Sequence, residues 1–421
     1  MSAPTESPLI DPSFWTLPLE ERMARFAEIR EEGAFHTASF ENFMTGEHET
    51  FDAVTRYAEI VEISRHPHEW CSGKGAVSIP DMPEEALEFF GSFINMDDPR
   101  HARQREIVSR SFTPRQLQGV LDSVETICTE VIDGFCEKGE VDLVNVLSQP
   151  FPLLVICDMM GIPRSEFDTV LQATNVILGG GDPEFMGDKD PFTAIFEAGM
   201  QLTMLMNELA DERRANPTDD LTSKLVHNDL GEEMLAPNEI APFFILLAVA
   251  GNDTTRNAIT HGMNLLSQNP EQRRIWQDDL EGVTATAVDE IVRVASPVVF
   301  MRRTATTDVT VSDREFHEGD KVVLFYGAGN RDPRVFTDPE VFDVRRDPNP
   351  HIGFGGPGPH FCLGAHLARR EVAVVFRQLL TRLPDIEVVG DAVPLDALGI
   401  PLVGGIKRLP VKFTPTSPIG G

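Results

Sequence analysis

The chain has 421 residues, 41% of them hydrophobic and 24% charged, which is the balance of a globular protein with a substantial core. Lys and Arg number 36 against 67 Asp and Glu, and the formal net charge of −31 argues against binding to nucleic acid or anionic lipid. No apolar run approaches the ~20 residues that span a bilayer, and the N-terminus lacks a signal peptide pattern. The five cysteines have neither disulfide nor zinc-ligand spacing. These observations predict a cytoplasmic protein without a membrane span.

Helical periodicity dominates the chain, and no linker or internal repeat divides it. Apolar spacing predicts helices over residues 19–31, 115–137, 192–214, 237–267, 270–280, 284–294 and 363–383. Strands are expected over residues 51–56, 309–311, 321–326 and 410–414, the second and third of them paired around a turn at 318–320. We therefore expect one domain over residues 1–421, mainly α with a small β region, in which residues 1–10 form a flexible tail.

The predicted helix over 237–267 is about 31 residues long, or about 46 Å at 1.5 Å per residue. Residues 240–250 are apolar on nearly every side, so this helix should run through the core. Polar side chains then follow in its middle, at Asn252, Asp253, Thr254 and Thr255. Burying them is costly unless they bond to one another, to the backbone or to a ligand.

A second unusual segment covers residues 353–364, where glycine and proline alternate with few other residues and Cys362 precedes a predicted helix. A thiol at a helix N-terminus is expected to favour its thiolate form. Such a cysteine could be a nucleophile or a metal ligand. A nucleophilic cysteine needs a general base that converges on it. The glycines favour the metal-ligand interpretation, because they let the loop approach a flat group closely.

The sequence Phe354-Gly-Gly-Pro-Gly-Pro-His-Phe-Cys362-Leu-Gly364 resembles the haem-ligand loop of the cytochrome P450 superfamily. Further motifs of that family occur in the expected order, namely Asp98-Pro-Arg-His101-x-x-x-Arg105, Ala250-Gly-Asn-Asp-Thr-Thr255, Glu290-Ile-Val-Arg293, Asn330-Arg-Asp-Pro333 and Asn349-Pro-His351. The resemblance covers residues 10–415. It implies the cytochrome P450 fold, with a long central helix over a buried haem b.

The resemblance makes Cys362 the thiolate ligand of the haem iron, and the other four cysteines are expected to be structural. Charge-assisted donors should hold the two haem propionates, and the matching positions are His101, Arg105, Arg303 and His360. Arg303 is preferred to Arg302 from its place before Thr304. The further haem contacts that the resemblance implies are Ala250, Gly251, Phe354 and Gly364.

Asp253 and Thr254 match the acid and alcohol that deliver protons to bound dioxygen in this family. The Thr254 hydroxyl could also disturb the backbone hydrogen bond to residue i−4 and so open the helix. Ala250 and Gly251 are expected to face the iron because they are small. Glu290 and Arg293 share one helix face and, with Arg346, are expected to brace the haem-binding core as structural residues.

Electrons must come from a separate protein, because the motifs occupy the whole chain and no dinucleotide loop or iron–sulfur cysteine cluster is present. The resemblance implies a ferredoxin with its NAD(P)H-dependent reductase. An acidic ferredoxin would dock on a basic patch beside the haem ligand, for which the candidates are Arg100, Arg103, Arg105, Arg110, Arg115, Arg369 and Arg370. We expect the protein to be a monomer.

The sequence also resembles an actinobacterial branch of the family that hydroxylates methyl-branched lipids, isoprenoids and sterol side chains. It departs from that branch in having Asp253 where several members have Glu, and Pro359 where many have Ala. Candidate substrate contacts are the apolar residues Phe90, Phe93, Ile94, Val298, Val299 and Phe300. Three glycines at 179–181 suggest a flexible joint of a lid, and no anchor for a substrate carboxylate can be identified.

The main hypothesis is a haem-thiolate monooxygenase that inserts one oxygen atom of O₂ into an apolar small molecule. One alternative is a peroxide-driven hydroxylase, and another is a non-catalytic haem-binding sensor. The pair Asp253 and Thr254 disfavours both, because neither needs protons delivered to O₂.

Overall fold

The computed structural model describes residues 7–42, 45–82, 92–112, 118–178, 182–227, 234–395 and 399–420. Its α-helices, in chain order, are α1 (Pro12–Thr16), α2 (Leu19–Glu32), α3 (Tyr57–Arg65), α4 (Arg100–Ser109), α5 (Gln118–Asp133), α6 (Pro150–Met160), α7 (Phe167–Leu178), α8 (Pro183–Met186), α9 (Pro191–Ala215), α10 (Leu221–Val226), α11 (Pro237–Gln268), α12 (Pro270–Asp278), α13 (Leu280–Ala295), α14 (Tyr326–Gly329) and α15 (Ala365–Arg382). Short 3₁₀ turns cover Pro8–Ile10, Phe93–Asn95, Arg110–Phe112 and Arg164–Glu166, and a π-helical turn covers Val144–Ser148. The fold is mainly α, as predicted.

The strands are short, and the largest sheet that the described residues form contains five of them. They are β1 (Phe35–Glu41), β2 (His48–Val54), β3 (Trp70–Cys71), β4 (Glu140–Asp142), β5 (Phe300–Ala305), β6 (Val309–Val311), β7 (Arg314–Phe316), β8 (Lys321–Phe325), β9 (Glu387–Val388), β10 (Val393–Pro394), β11 (Ile406–Arg408) and β12 (Pro410–Lys412). The five-stranded sheet has the order β1-β2-β8-β5-β3, in which only β2 and β8 are parallel. The strand predicted over 410–414 closes a small sheet with β4 and β9, as expected.

Three sequence predictions need correction. Strand β6 pairs with β7 and not with β8, which instead joins β5 and β2 in the larger sheet. The tail predicted over residues 1–10 is wrong for Pro8–Ile10, because Leu9 is fully buried and its carbonyl accepts a hydrogen bond from Trp15 Nε1 at 2.8 Å. The last long helix begins at Ala365 rather than 363, so Cys362 lies in a turn ahead of it.

Helix α11 forms the centre of the largest apolar cluster, as its all-round hydrophobicity predicts. Residues from α6, α9, α13 and α15 surround it, for example Phe151, Leu202, Ile291 and Phe376. The helix runs from Pro237 to Gln268 without interruption, so no opening of its backbone is present at Thr254. No helix within the described residues is both long and apolar enough to cross a membrane.

A buried ion cluster ties α13 to the segment that precedes the Cys362 loop. The Glu290 carboxylate, which is inaccessible to solvent, accepts hydrogen bonds from Arg293 Nε and Nη2, both at 2.7 Å, and from Arg346 Nε at 3.1 Å. Asn349 Nδ2 adds a further bond at 3.1 Å. Burial on its own would raise the pKa of Glu290, but its bonds to Arg293 and the charge of Arg346 outweigh that effect and lower it.

We predict that Glu290→Ala lowers the free energy of unfolding by about 3–5 kcal/mol, because two arginines then lose their buried carboxylate. Urea denaturation followed by circular dichroism measures the change. Glu28→Ala is the matched control, since Glu28 pairs with Arg25 on the surface of α2 and should cost at most about 1 kcal/mol. Equal stability losses in the two variants would contradict the structural role of Glu290.

Candidate active site

The loop that carries Cys362 is fixed by close contacts with helix α3. A Cβ atom at Gly358 would lie 2.2 Å from the Ser64 carbonyl oxygen, and one at Gly356 would lie 2.4 Å from Ser64 Oγ. Gly355 has a φ of +91°, in the left-handed region that favours glycine. A side chain at Gly356 or Gly358 would therefore press on Ser64 of α3, and one at Gly355 would strain the loop backbone that positions Cys362.

Cys362 is held from both sides of the loop. Its backbone N–H donates to the Phe354 carbonyl at 2.9 Å, and the Arg369 guanidinium carbon lies 4.4 Å from the centre of the Phe354 ring. The thiol is accessible, but the protein atoms around it raise its pKa by desolvation, while the Gly364 N–H and the charges of Arg105 and Arg369 act in the opposite direction. The expected lowering of the thiol pKa is therefore wrong for the chain alone. A bound metal ion deprotonates a coordinating thiol outright.

The four predicted propionate ligands come together in one basic cluster beside this loop. The rings of His101 and His360 are 4.1 Å apart, and Arg105 Nη2 donates to the Phe361 carbonyl. Burial, followed by the charges of Arg303, His101 and Arg105, lowers the pKa of His360 to about 2. His360 is thus neutral, and its Nε2 lies 3.1 Å from Ser72 Oγ.

This basic cluster has one contacting carboxylate among the described residues, that of Asp98 at 3.4 Å from His101 Nδ1, and its remaining donors test whether the residues fit a haem. Arg303 is only 6% exposed, yet within the described residues no carboxylate oxygen lies within 4 Å of Arg303 or Arg105. His101 Nε2 is buried without a hydrogen-bond partner. The nearby Asp97 carboxylate is already occupied by two backbone N–H groups at 2.7 and 2.8 Å. Two propionates would satisfy these donors, so the residues fit the cofactor.

The predicted acid and alcohol lie on different faces of α11. Thr254 and Ala250 line a cavity, and Thr254 Oγ1 donates to the Ala250 carbonyl at 2.6 Å. Asp253 points into the protein and is 3% exposed, with Arg256 Nη1 at 3.7 Å and Asn252 Nδ2 at 3.4 Å from its carboxylate. Burial raises the pKa of Asp253, and the charge of Arg256 opposes this. A raised pKa favours the protonated form of this carboxyl group, which a proton donor requires.

Gly251 does not face the cavity beside Ala250, contrary to the sequence prediction. A Cβ atom at Gly251 would lie 2.9 Å from Ile156 Cδ1 of α6, so the glycine allows two helices to pack closely. Gly364 differs again, since a Cβ there would meet no protein atom within 4 Å. Packing inside the chain therefore does not require glycine at that position.

The cavity next to Thr254 measures about 1670 Å³ and its inner wall is mainly apolar. Of the predicted substrate contacts, Ile94, Val298 and Phe300 line it. Phe93 instead packs against His101 and Phe243, and Val299, which precedes β5, lines a separate small pocket. Phe90 and residues 179–181 lie outside the described residues. Cys362 is not among the lining residues, so this cavity belongs to the substrate side of the site.

Sequence reasoning missed Glu371, which lies on α15 behind the polar centre of α11. Its side chain is 3% exposed, and Oε2 has no hydrogen-bond partner. Burial raises the pKa of Glu371 to about 8, although a hydrogen bond with Thr255 opposes the shift. A sequence signal existed, because Leu367 and Val375 lie four residues on either side and place Glu371 on the apolar face of its helix.

Comparison with known proteins gives matches along nearly the whole chain. The sequence model named "Cytochrome P450" matches residues 192–388. The "Methyl-branched lipid omega-hydroxylase" of Mycobacterium tuberculosis strain H37Rv is 44% identical, over 98% of this chain and 96% of that protein. The "Steroid C26-monooxygenase" of Mycolicibacterium smegmatis is 36% identical, over 94% of this chain and 91% of that protein.

A solved structure agrees with this result. The cytochrome P450 of Mycobacterium marinum in complex with pseudoionone is 37% identical, covers 98% of this chain and 100% of its own, and superposes with a TM-score of 0.89. The chain therefore belongs to the cytochrome P450 family and is a haem b-dependent monooxygenase.

Proposed function

We propose that this cytochrome P450 hydroxylates an unactivated C–H bond of an apolar lipid, of the methyl-branched, isoprenoid or sterol side-chain class. The observation that carries the proposal is the position of Thr254 in the wall of a large cavity beside apolar side chains, including Leu246, Val249 and Phe300. The names of the relatives, a branched-lipid hydroxylase and a steroid monooxygenase, support the same substrate class.

When bound, the haem would supply the activation of O₂, with Cys362 as the ligand that donates electron density to the iron. The roles of the other residues follow from their positions. Arg105 and Arg303 would hold the propionates, since no carboxylate of the described residues pairs with either, and His101 would add its unpartnered Nε2. The apolar wall excludes water from the substrate, and this favours consumption of O₂ only when substrate is present.

Proton delivery is assigned to Thr254 and Asp253. The Thr254 hydroxyl lies in the cavity wall and can turn from the Ala250 carbonyl towards a group in the cavity. Asp253 lies on the buried side of the helix, where Arg256 stabilises the ionised form and burial stabilises the neutral one. A carboxyl group balanced in this way can pass protons to the hydroxyl through water.

Two electrons per turnover are proposed to come from a separate ferredoxin and its NAD(P)H-dependent reductase. The docking face would be the surface around Phe361, which is 40% exposed and lies next to Cys362. Several candidate arginines are already paired, since Arg103 binds Glu239 at 3.0 Å and Arg369 binds Asp289 at 2.7 Å. Arg100 and Arg65 are both exposed. Arg65 lies beside the Cys362 loop, because a Cβ added at Gly358 would be 3.9 Å from the Arg65 backbone nitrogen. Local positive charge on an acidic protein suits an acidic partner.

The ligand assignment predicts that Cys362→His abolishes the absorption band of thiolate-ligated ferrous–CO haem. The reason is that an imidazole nitrogen would replace the sulfur that generates this band. Cys71→Ser is the control, because Cys71 lies near Arg303 but has no role in ligation, and it should keep the band. Persistence of the band in Cys362→His would refute the assignment.

The proton relay predicts that Thr254→Ala uncouples the reaction. NAD(P)H consumption should continue, while product per NAD(P)H falls at least about tenfold and hydrogen peroxide is released, as expected for loss of a positioned acid–base group. Thr254→Ser keeps the hydroxyl and should retain most of the coupling. If both variants couple as well as the parent protein, Thr254 is not part of the relay.

The docking face predicts that reversing the charge of Arg65 and Arg100 together slows reduction by a ferredoxin several-fold and weakens its dependence on salt. Stopped-flow reduction at two ionic strengths measures both effects. Arg25→Glu is the matched control, because Arg25 is an exposed residue of α2 that pairs with Glu28. An identical response of the control and the double variant would place the docking surface elsewhere.

A further inference from the structure

One part of the cavity carries basic side chains that the proposed hydroxylation does not use. Arg22, His261 and Arg331 line it, and the amide side chains of Asn264 and Gln268 lie alongside. His261 lies seven residues beyond Thr254 on α11, a rise of about 10 Å, so this region is remote from the proton relay.

Arg22 is oriented by contacts that leave its charge available. Its Nη1 donates to the Trp15 carbonyl at 2.9 Å, and the guanidinium carbon lies 5.8 Å from the centre of the Trp15 ring. Burial lowers the pKa of Arg22 to about 10, so it remains a cation at neutral pH. Within the described residues, no carboxylate lies within ion-pair distance of it.

Arg331 and His261 extend the basic group into the protein. Arg331 is 4% exposed, with Glu340 at 3.2 Å and the Val294 carbonyl at 2.7 Å. His261 is 7% exposed and lines the cavity. Burial and then the charges of Arg22 and Arg331 lower the pKa of His261 to about 4.

The charge of this region is therefore positive. Two arginines face a single contacting carboxylate, that of Glu340, and a neutral imidazole offers a further donor. Other carboxylates lie elsewhere along the cavity, at exposed positions, namely Glu20, Glu41, Asp190 and Asp391. Arg22, whose bonded acceptor is the neutral Trp15 carbonyl, and the ring of His261 therefore offer donors to an anion in a concave, largely buried place.

We propose that Arg22, His261 and Arg331 form an anion subsite that binds a carboxylate group. The planar guanidinium of Arg22 matches a carboxylate in geometry, and the imidazole N–H can complete its hydrogen bonding. This inference rests on the proposed function, since the carboxylate is assigned to the head group of a lipid acid whose far end reaches Thr254.

The test uses the haem-loaded protein and a matched pair of ligands, a long methyl-branched fatty acid and its methyl ester. Dissociation constants come from spin-state difference spectra. Arg22→Gln should weaken binding of the acid about tenfold, which corresponds to about 1.4 kcal/mol, and change ester binding less than twofold. Arg22→Lys keeps the positive charge but lacks the forked guanidinium, so its dissociation constant for the acid should lie between those of the parent protein and Arg22→Gln. Arg25→Gln, one turn along α2, should change neither constant.

Acetate as a free probe distinguishes two sources of the carboxylate. If the subsite holds the substrate head group, acetate competes with the fatty acid and not with the ester. If it holds a separate small acid, acetate raises the melting temperature of the parent protein but not of Arg22→Gln, and neither lipid constant changes. Either result retains the subsite.

The subsite is overturned if Arg22→Gln affects acid and ester equally and acetate has no effect on binding or melting. That failure is separate from failure of the proposed function. If only the subsite is wrong, the ester still produces a spin-state change in the parent protein. If the proposed function is wrong, neither lipid produces one.

Discussion

The fit of the Cys362 loop against helix α3 is the constraint on which the rest of the site depends. At Gly356 and Gly358 the loop backbone lies so close to Ser64 that a methyl group would overlap the helix. The loop therefore has one available position, and the cysteine, the His360 ring and the first turn of α15 follow from it. Flexibility is usually the reason for glycine in a loop, but here the glycines allow a tight contact that makes the loop rigid.

Buried charge is distributed in two ways around this site. Glu290 is matched by Arg293 and Arg346, so that cluster is complete within the chain and serves stability. Arg303 and His101 are also buried, but Arg303 has no contacting carboxylate among the described residues and His101 Nε2 has no hydrogen-bond partner, which is the arrangement of a binding site. The difference between a structural and a functional arginine is therefore visible in whether the protein supplies the opposite charge.

The sequence predicted the long elements and the identity of the site more reliably than the details of either. Helix α11 was predictable because its apolar residues occupy every face, and Cys362 because its loop has a specific pattern. Strand pairing was not, since the turn at 318–320 indicated a pair of 309–311 with 321–326, whereas the true partner, 314–316, was not predicted as a strand. The orientations of Gly251, Phe93 and Val299 depend on which neighbour packs against each, and a sequence contains no direct record of that.

Glu371 and Arg22 show a further limit of prediction from the sequence. A single charged residue on an apolar face, or one arginine on an amphipathic surface helix, is common and carries little information alone. Each became informative only when the fold placed it beside other groups, Glu371 beside Thr255 and Arg22 beside the cavity. Local periodicity indicates which face of a helix is buried, whereas tertiary contacts show what a residue on that face interacts with.

The central claim is that one sulfur atom of this chain ligates the haem iron. X-ray absorption at the iron edge of the purified, haem-loaded protein measures it directly. The account predicts one sulfur neighbour in the first coordination shell, lost when Cys362 is replaced by Ala. A shell of nitrogen and oxygen alone in the parent protein, or a sulfur that persists without Cys362, would contradict it.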